Sequence, residues 1–292
     1  MLSRIDGLLN KYTMYRVVLY GLLAIAAVAI LLGFIGILPF SGGSMLFSVI
    51  VLVALCEGVN RLCAKVLHAA PGIESSVITA LILFFVLSPP SSGADILFLG
   101  LAAIIAMISK YVLAYHKKHL FNPAAIAAVL IGVLGSGLSI WWVGSPALLP
   151  FTLVFGFLLV RKLRREKLVA SFFATGIVTT ALVGLSNGNA LASLVPEIFL
   201  SWPIVFFATV MLTEPATTPP TKWLQLMYGA IVGIIFGLVF HIGPLYSSPE
   251  LALVLGNIFA YAVSAHGKVM LRLLEKKEIA QEIMEFTFAA KR

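Results

Sequence analysis

A glutamate stands where an apolar run breaks at prolines: Leu212-Thr213-Glu214-Pro215-Ala216-Thr217-Thr218-Pro219-Pro220. A carboxylate closing a hydrocarbon-spanning segment is costly, which marks it as a candidate for function. The prolines remove backbone donors and end the helix, so the freed polar groups need other partners. Two readings fit the hydroxyls beside it. Thr213, Thr217 and Thr218 cap the broken helix with Glu214 solvated at the membrane boundary, or they line a polar cavity and contact a cofactor or ion. A second break, Ser88-Pro89-Pro90-Ser91-Ser92, is equally rich in hydroxyls and favours the cavity. A third stretch, the basic run from Lys110 to His119, leads into Phe121-Asn122-Pro123. There Asn122 either caps the helix that Pro123 opens or hydrogen-bonds a planar heterocycle from a cavity wall.

Other chemistries find little support in the spacing. The five histidines are His68, His116, His119, His241 and His266, and no two sit at depths on facing spans that suit bis-His ligation, so haem is not expected. Cys56 and Cys63 share a helix face but lack CxxC spacing; they are packing residues or half of a cluster shared with a partner subunit. No Gly-rich phosphate loop, zinc spacing or Ser-His-Asp triad is present.

The elements that must position these residues are membrane spans. The chain is 61% hydrophobic and 11% charged, with a mean hydropathy of +1.07. Apolar runs of about 20 residues recur along it, which excludes a soluble domain and gives an all-α polytopic membrane protein. Its net charge of +8 marks cytoplasmic loops rather than a nucleic-acid partner. Ten spans are expected: 15–38, 45–67, 75–87, 96–113, 123–141, 147–160, 168–185, 196–212, 223–241 and 249–264. Lys and Arg cluster before or at the start of the first span, in or near the even-numbered connections and in the tail, and the odd-numbered connections hold none, so the positive-inside rule puts both termini in the cytoplasm.

An offset of 125 residues lays Val86-Leu87-Ser88-Pro89-Pro90 on Met211-Leu212-Thr213-Glu214-Pro215, and one residue more lays Pro123 on Pro249. Five spans per half is odd, so the halves are expected to be inverted, and paired breaks in inverted halves point to a midplane site. The third span supports this: about 13 residues rise roughly 20 Å, short of a hydrocarbon core of about 30 Å. The expected division is a cytoplasmic segment 1–14, a first repeat 15–141, a second repeat 147–265 and a cytoplasmic tail 266–292. Residues 285–288 of the tail alternate polar and apolar at a strand period, so the tail is either an amphipathic helix or the opening strand of a soluble domain.

Four pieces in order carry a family resemblance: Ser76-Val77-Ile78-Thr79-Ala80-Leu81-Ile82-Leu83 with Ser88-Pro89-Pro90, Lys118-His119-Leu120-Phe121-Asn122-Pro123-Ala124-Ala125, Leu212-Thr213-Glu214-Pro215-Ala216-Thr217 and Leu255-Gly256-Asn257-Ile258. Here the chain resembles a pair of related membrane proteins, one from Rnf-type electron-transport complexes and one from the sodium-translocating NADH:quinone reductase. The resemblance implies ten helices in two inverted five-helix repeats on a urea-transporter-like scaffold, with the third and eighth spans short or broken. It implies a non-covalent flavin, riboflavin or FMN, near Asn122, His119, Thr213, Glu214, Thr217, Thr218, Ser88 and Asn257. His119 replaces the first Asn of the family's Asn-Pro-Phe-Asn-Pro pattern, while Asn122 matches the second.

Covalent FMN is not expected. The connection 142–146 is short and lacks the Ser/Thr-Gly-Ala-Thr loop, and Ser92-Gly93-Ala94-Asp95 carries Asp in place of the acceptor Thr. The tail resembles the first strands of ferredoxin–NADP-reductase-type domains, which implies FAD on an adjoining soluble module. Lipid, a cytoplasmic FAD/NAD(P)H reductase module and other electron-transport subunits are the implied partners, in a bacterial-type inner membrane. The implied function is transfer of electrons from cytoplasmic NAD(P)H across the membrane to an extracytosolic or quinone acceptor, with coupled ion translocation left open. A small-solute channel or transporter, or a structural subunit without cofactor, are the alternatives on the same scaffold.

Overall fold

The computed structural model describes residues 6–7, 9–115, 118–135, 137–190, 192 and 203–264. The expected tail, 266–292, and residues 196–202 of the expected eighth span lie outside these residues.

The described residues form a multi-pass all-α membrane fold with ten α-helices and two minimal hairpins. The first group is α1 (Met14–Phe34), α2 (Gly42–Val66), α3 (Ile73–Val86) and α4 (Gly93–Val112). A hairpin of β1 (Ala114–Tyr115) and β2 (Lys118–His119) then leads to α5 (Pro123–Val133). A short 3-10 turn, Trp142–Gly144, precedes α6 (Leu149–Leu163) and α7 (Glu166–Ser186). Next come α8 (Ile204–Phe206), which runs on as a π-helix over Phe207–Met211, and α9 (Lys222–Gly237). A second hairpin, β3 (His241–Ile242) and β4 (Leu245–Tyr246), leads to α10 (Pro249–Val263). Helices α1, α2, α4 and α7 are long and apolar enough to cross a membrane.

Local sequence explains the ends. Thr13, Ser41, Thr221 and Ser248 each cap a helix through a side-chain oxygen, and Ser92 with Asp95 forms a reciprocal capping box on α4. Helices α5 and α10 both open on proline, whose fixed φ suits the first turn, and both follow a hairpin.

Helices α3 and α8 form the centre. Residues 79–87 and 204–213 are buried, and the two helices meet where the Phe85 and Phe206 rings lie 5.4 Å apart. Around them, α7 and α9 pack backbone to backbone. A Cβ on Gly229 would lie 2.4 Å from the Leu168 carbonyl oxygen, and one on Gly233 2.6 Å from that of Phe172. Close approach through small residues replaces the hydrophobic drive that is missing in lipid. Ser171 Oγ and Thr175 Oγ1 then reach the Leu226 and Ala230 carbonyls across the contact, at 2.7 and 3.1 Å.

The fifth span is shorter than the expected 123–141. Helix α5 ends at Val133, and Gly135 and Gly137 at φ 78° and 63° turn the chain back. Residues 138–142 then close the broken end of α3. The Ser88 amide donates to Leu138 O (2.8 Å), the Trp141 amide to Val86 O (2.9 Å), and Trp142 Nε1 to Phe84 O (2.7 Å). Their apolar character serves burial over a helix end rather than continuation of a helix.

Candidate functional site

The broken end of α8 gathers polar side chains from both groups of helices. The π-helix is defined by bonds such as Leu212 N–H to Phe207 O (2.9 Å), and such insertions are frequent at functional sites. The Thr209 and Thr213 hydroxyls bond the carbonyls one turn back, Val205 O and Thr209 O, at 2.7 and 2.6 Å. After Leu212 the chain leaves the helix and presents Glu214. Beyond the break, the Pro219 carbonyl is satisfied by Gln225 Nε2 (3.1 Å) and Arg165 Nη1 (3.4 Å).

The Glu214 carboxylate is the hub. His119, held at the end of the first hairpin, places Nε2 2.7 Å from Oε1; with the carboxylate ionised, the ring nitrogen donates. Asn122 Nδ2 donates to Oε2 at 2.9 Å, and the Thr217 hydroxyl lies 3.4 Å from the same oxygen. Asn122 also caps α5 by accepting from the Ala125 amide (3.1 Å), so one side chain fulfils both a capping and a site role. Its own amide donates to Asn257 Oδ1 (2.9 Å), and Asn257 Nδ2 donates to the Tyr228 hydroxyl (3.0 Å). Asn122, Asn257 and Tyr228 are almost wholly buried, so each bond is made where water cannot replace it.

His119 is a wall shared by three spaces. One is a narrow slot of about 60 Å³ between Tyr15, Ser75, Thr79, Asn122 and Glu214. The second, of about 300 Å³, lies among Tyr115, Arg165, Thr217, Thr218 and Tyr261. The third is a wider cleft of about 970 Å³ lined by Tyr15, His68, Lys110 and Tyr111. In the second space the Thr218 hydroxyl is buried with no hydrogen-bond partner among the described residues. Arg165 makes one side-chain hydrogen bond among the described residues, the long one to Pro219, and burial pulls its pKa below the usual guanidinium value. The Tyr115 and Tyr261 rings stand edge to face, 6.4 Å apart.

Of the residues singled out in the sequence, Asn122, His119, Glu214, Thr217 and Asn257 join one network, and Thr218 lies beside it. Thr213 is fully buried, with its hydroxyl spent on its own helix. Ser88 is not brought to this cluster: it follows the far end of α3, whose 14 residues rise about 20 Å from the end near Ser75. One polar site had no sequence signal. Glu250, only 4% exposed, accepts from Ser139 Oγ and Trp141 Nε1, both at 2.7 Å. In the sequence it is simply an acid after the proline of α10, which is an ordinary position for a carboxylate at a helix start.

Comparison with protein families bears on the second half of the chain. Residues 133–267 match the NQR2, RnfD, RnfE family model. The match runs from the last residue of α5 past the end of α10 and contains Arg165, Glu214, Thr217, Thr218, Glu250 and Asn257. Over this part of the chain it agrees with the family expected from the motifs, and these residues are similar to that family. No curated protein matches the chain.

Proposed function

We propose that the chain is the membrane subunit of a flavin-dependent electron-transport complex, holding a flavin non-covalently beside the Glu214 network. The observation that carries this reading is the space next to His119, where, among the described residues, the Thr218 hydroxyl lacks a partner and Arg165 has donors to spare. A buried unpaired hydroxyl is costly unless something bonds it. Riboflavin or FMN offers carbonyl and ring-nitrogen acceptors, and the edges of Tyr115 and Tyr261 offer an apolar wall. When bound, the flavin supplies a ring that takes electrons one or two at a time.

The chain's own residues do the rest. Thr218 and Arg165 bind and orient the ring. Glu214 Oε1 and His119 Nε2 share a proton that can be given to a reduced acceptor or held when it is oxidised. Asn122, whose backbone amide is held in turn by Asn257 from α10, fixes the Glu214 carboxylate, so the carboxylate keeps its geometry while its charge changes. Electrons would arrive from a cytoplasmic NAD(P)H- and FAD-linked module and leave to an extracytosolic or quinone acceptor. Ten spans in inverted halves complete this reading: the hairpin and proline start shared by α5 and α10 support it.

Flavin retention by two variants tests the proposal. Thr218→Val should leave thermal stability equal or slightly higher, because it removes an unsatisfied hydroxyl, yet weaken retention of added riboflavin or FMN by about fivefold to tenfold. Arg165→Gln should weaken retention in the same way. Unchanged retention in both would place the flavin elsewhere. Solute flux into proteoliposomes without any flavin uptake would instead favour the channel.

A further inference from the structure

At the membrane boundary where α6, α7 and α9 meet, a basic cavity stands apart from the Glu214 network. It measures about 400 Å³ and is lined by Arg161, Lys162, Arg164, Lys167 and Lys222 against two acids, Asp6 and Glu166. Two of the cations are engaged. Arg161 makes a bidentate pair with Asp6 at 2.6 Å, which holds the Asp6 carboxyl below the usual range, and Lys162 Nζ donates to Leu9 O at 2.8 Å. These bonds fasten Asp6 and Leu9 as one wall. Arg164, Lys167 and Lys222 make no side-chain hydrogen bond or ion pair among the described residues; the α6–α7 connection brings the first two, and the start of α9 the third, to one concavity.

Apolar surface continues from it. Trp223, next to Lys222, is 69% exposed, and Met227, Ile234 and Leu238 follow on the same face of α9 at 39%, 44% and 39%. Exposed tryptophan beside cations at a helix end is the arrangement of a headgroup-level anchor, with acyl-facing surface beyond it.

We propose that this cavity binds the phosphate of an anionic lipid headgroup, with the acyl chains lying along the Trp223–Leu238 face of α9. The shared chemistry is a phosphate held by Arg164, Lys167 and Lys222. The α9 face selects a lipid over a free phosphate.

The test uses the full chain purified in mild detergent. Thermal stability and native mass spectra are recorded with added phosphatidylglycerol or cardiolipin, with phosphatidylcholine, and with inorganic phosphate. Anionic lipid should raise the unfolding temperature and stay bound, and phosphatidylcholine and inorganic phosphate should do neither. The triple variant Arg164→Gln/Lys167→Gln/Lys222→Gln should hold anionic lipid at least about tenfold more weakly. The control Arg61→Gln/Lys65→Gln/Lys118→Gln, with the same loss of charge elsewhere, should bind like wild type. If the triple variant does not fold, Lys167→Gln alone should show a smaller loss in the same direction. Equal stabilisation by phosphatidylcholine, equal losses in variant and control, or an equal shift with inorganic phosphate would each overturn the proposal. Flavin content plays no part in these readouts, so this proposal and the flavin reading fail separately.

Discussion

Glu214 collects donors that have few other acceptors: His119 Nε2, Asn122 Nδ2 and the Thr217 hydroxyl. Glu214→Ala should therefore cost about 1–3 kcal/mol of stability, read as a lower unfolding temperature in detergent, with a smaller loss for Glu214→Gln. An unchanged temperature in Glu214→Ala would mean that the contacts carry no weight. Asn257→Leu should cost more, about 2–4 kcal/mol, because it strands the Asn122 amide and the Tyr228 hydroxyl together in a buried site. Much of this was legible. A glutamate at a proline break and an Asn-Pro helix start both carry a physical meaning in the sequence alone. Tyr228 and Glu250 were not legible, because nothing in one sequence says that a tyrosine hydroxyl faces an asparagine, or that a first-turn acid meets a tryptophan from another segment.

Among the elements, the α7–α9 contact is the most exacting. Gly233→Ala forces a methyl against the Phe172 carbonyl and should destabilise by about 1–3 kcal/mol, despite the better helix propensity of alanine. Gly58→Ala, with nothing within 4 Å of its Cβ, should be neutral or stabilising. The opposite order of unfolding temperatures would refute the packing. Before α1, the Arg161 guanidinium at the end of α6 holds the Asp6 pKa below its usual value through hydrogen bonds and charge. A depressed carboxylate pKa stabilises above the unfolded value of about 3.9 and loses that contribution as pH falls through the folded one. Any loss of stability in Asp6→Asn should therefore be present at neutral pH and vanish in strong acid, as an acid titration of unfolding would report. Element identity was legible wherever apolar runs were long. The end of α5 was not, since residues 138–142 are as apolar as a span and only their bonds to α3 reveal a cap. The two glycines at positive φ are the signal that marks the turn.

For the whole molecule, the two groups of helices are joined at both ends of the fold. The first tie is the Glu214, His119, Asn122 and Asn257 network, and the second is Glu250 with Ser139 and Trp141. Chemistry at the first tie acts on residues 92 and 135 positions apart in sequence, so charge change there is felt by both halves at once. The paired breaks were visible in the sequence, but not their different surroundings: the break after α8 joins the Glu214 network, whereas residues 138–142 close the end of α3 that Ser88 follows. The most direct measurement is the visible absorption spectrum of the purified full chain, followed by acid denaturation and filtration. A flavin spectrum whose chromophore passes the filter in amounts stoichiometric with the protein is the predicted result. Folded, colourless protein that takes up neither riboflavin nor FMN would contradict the account.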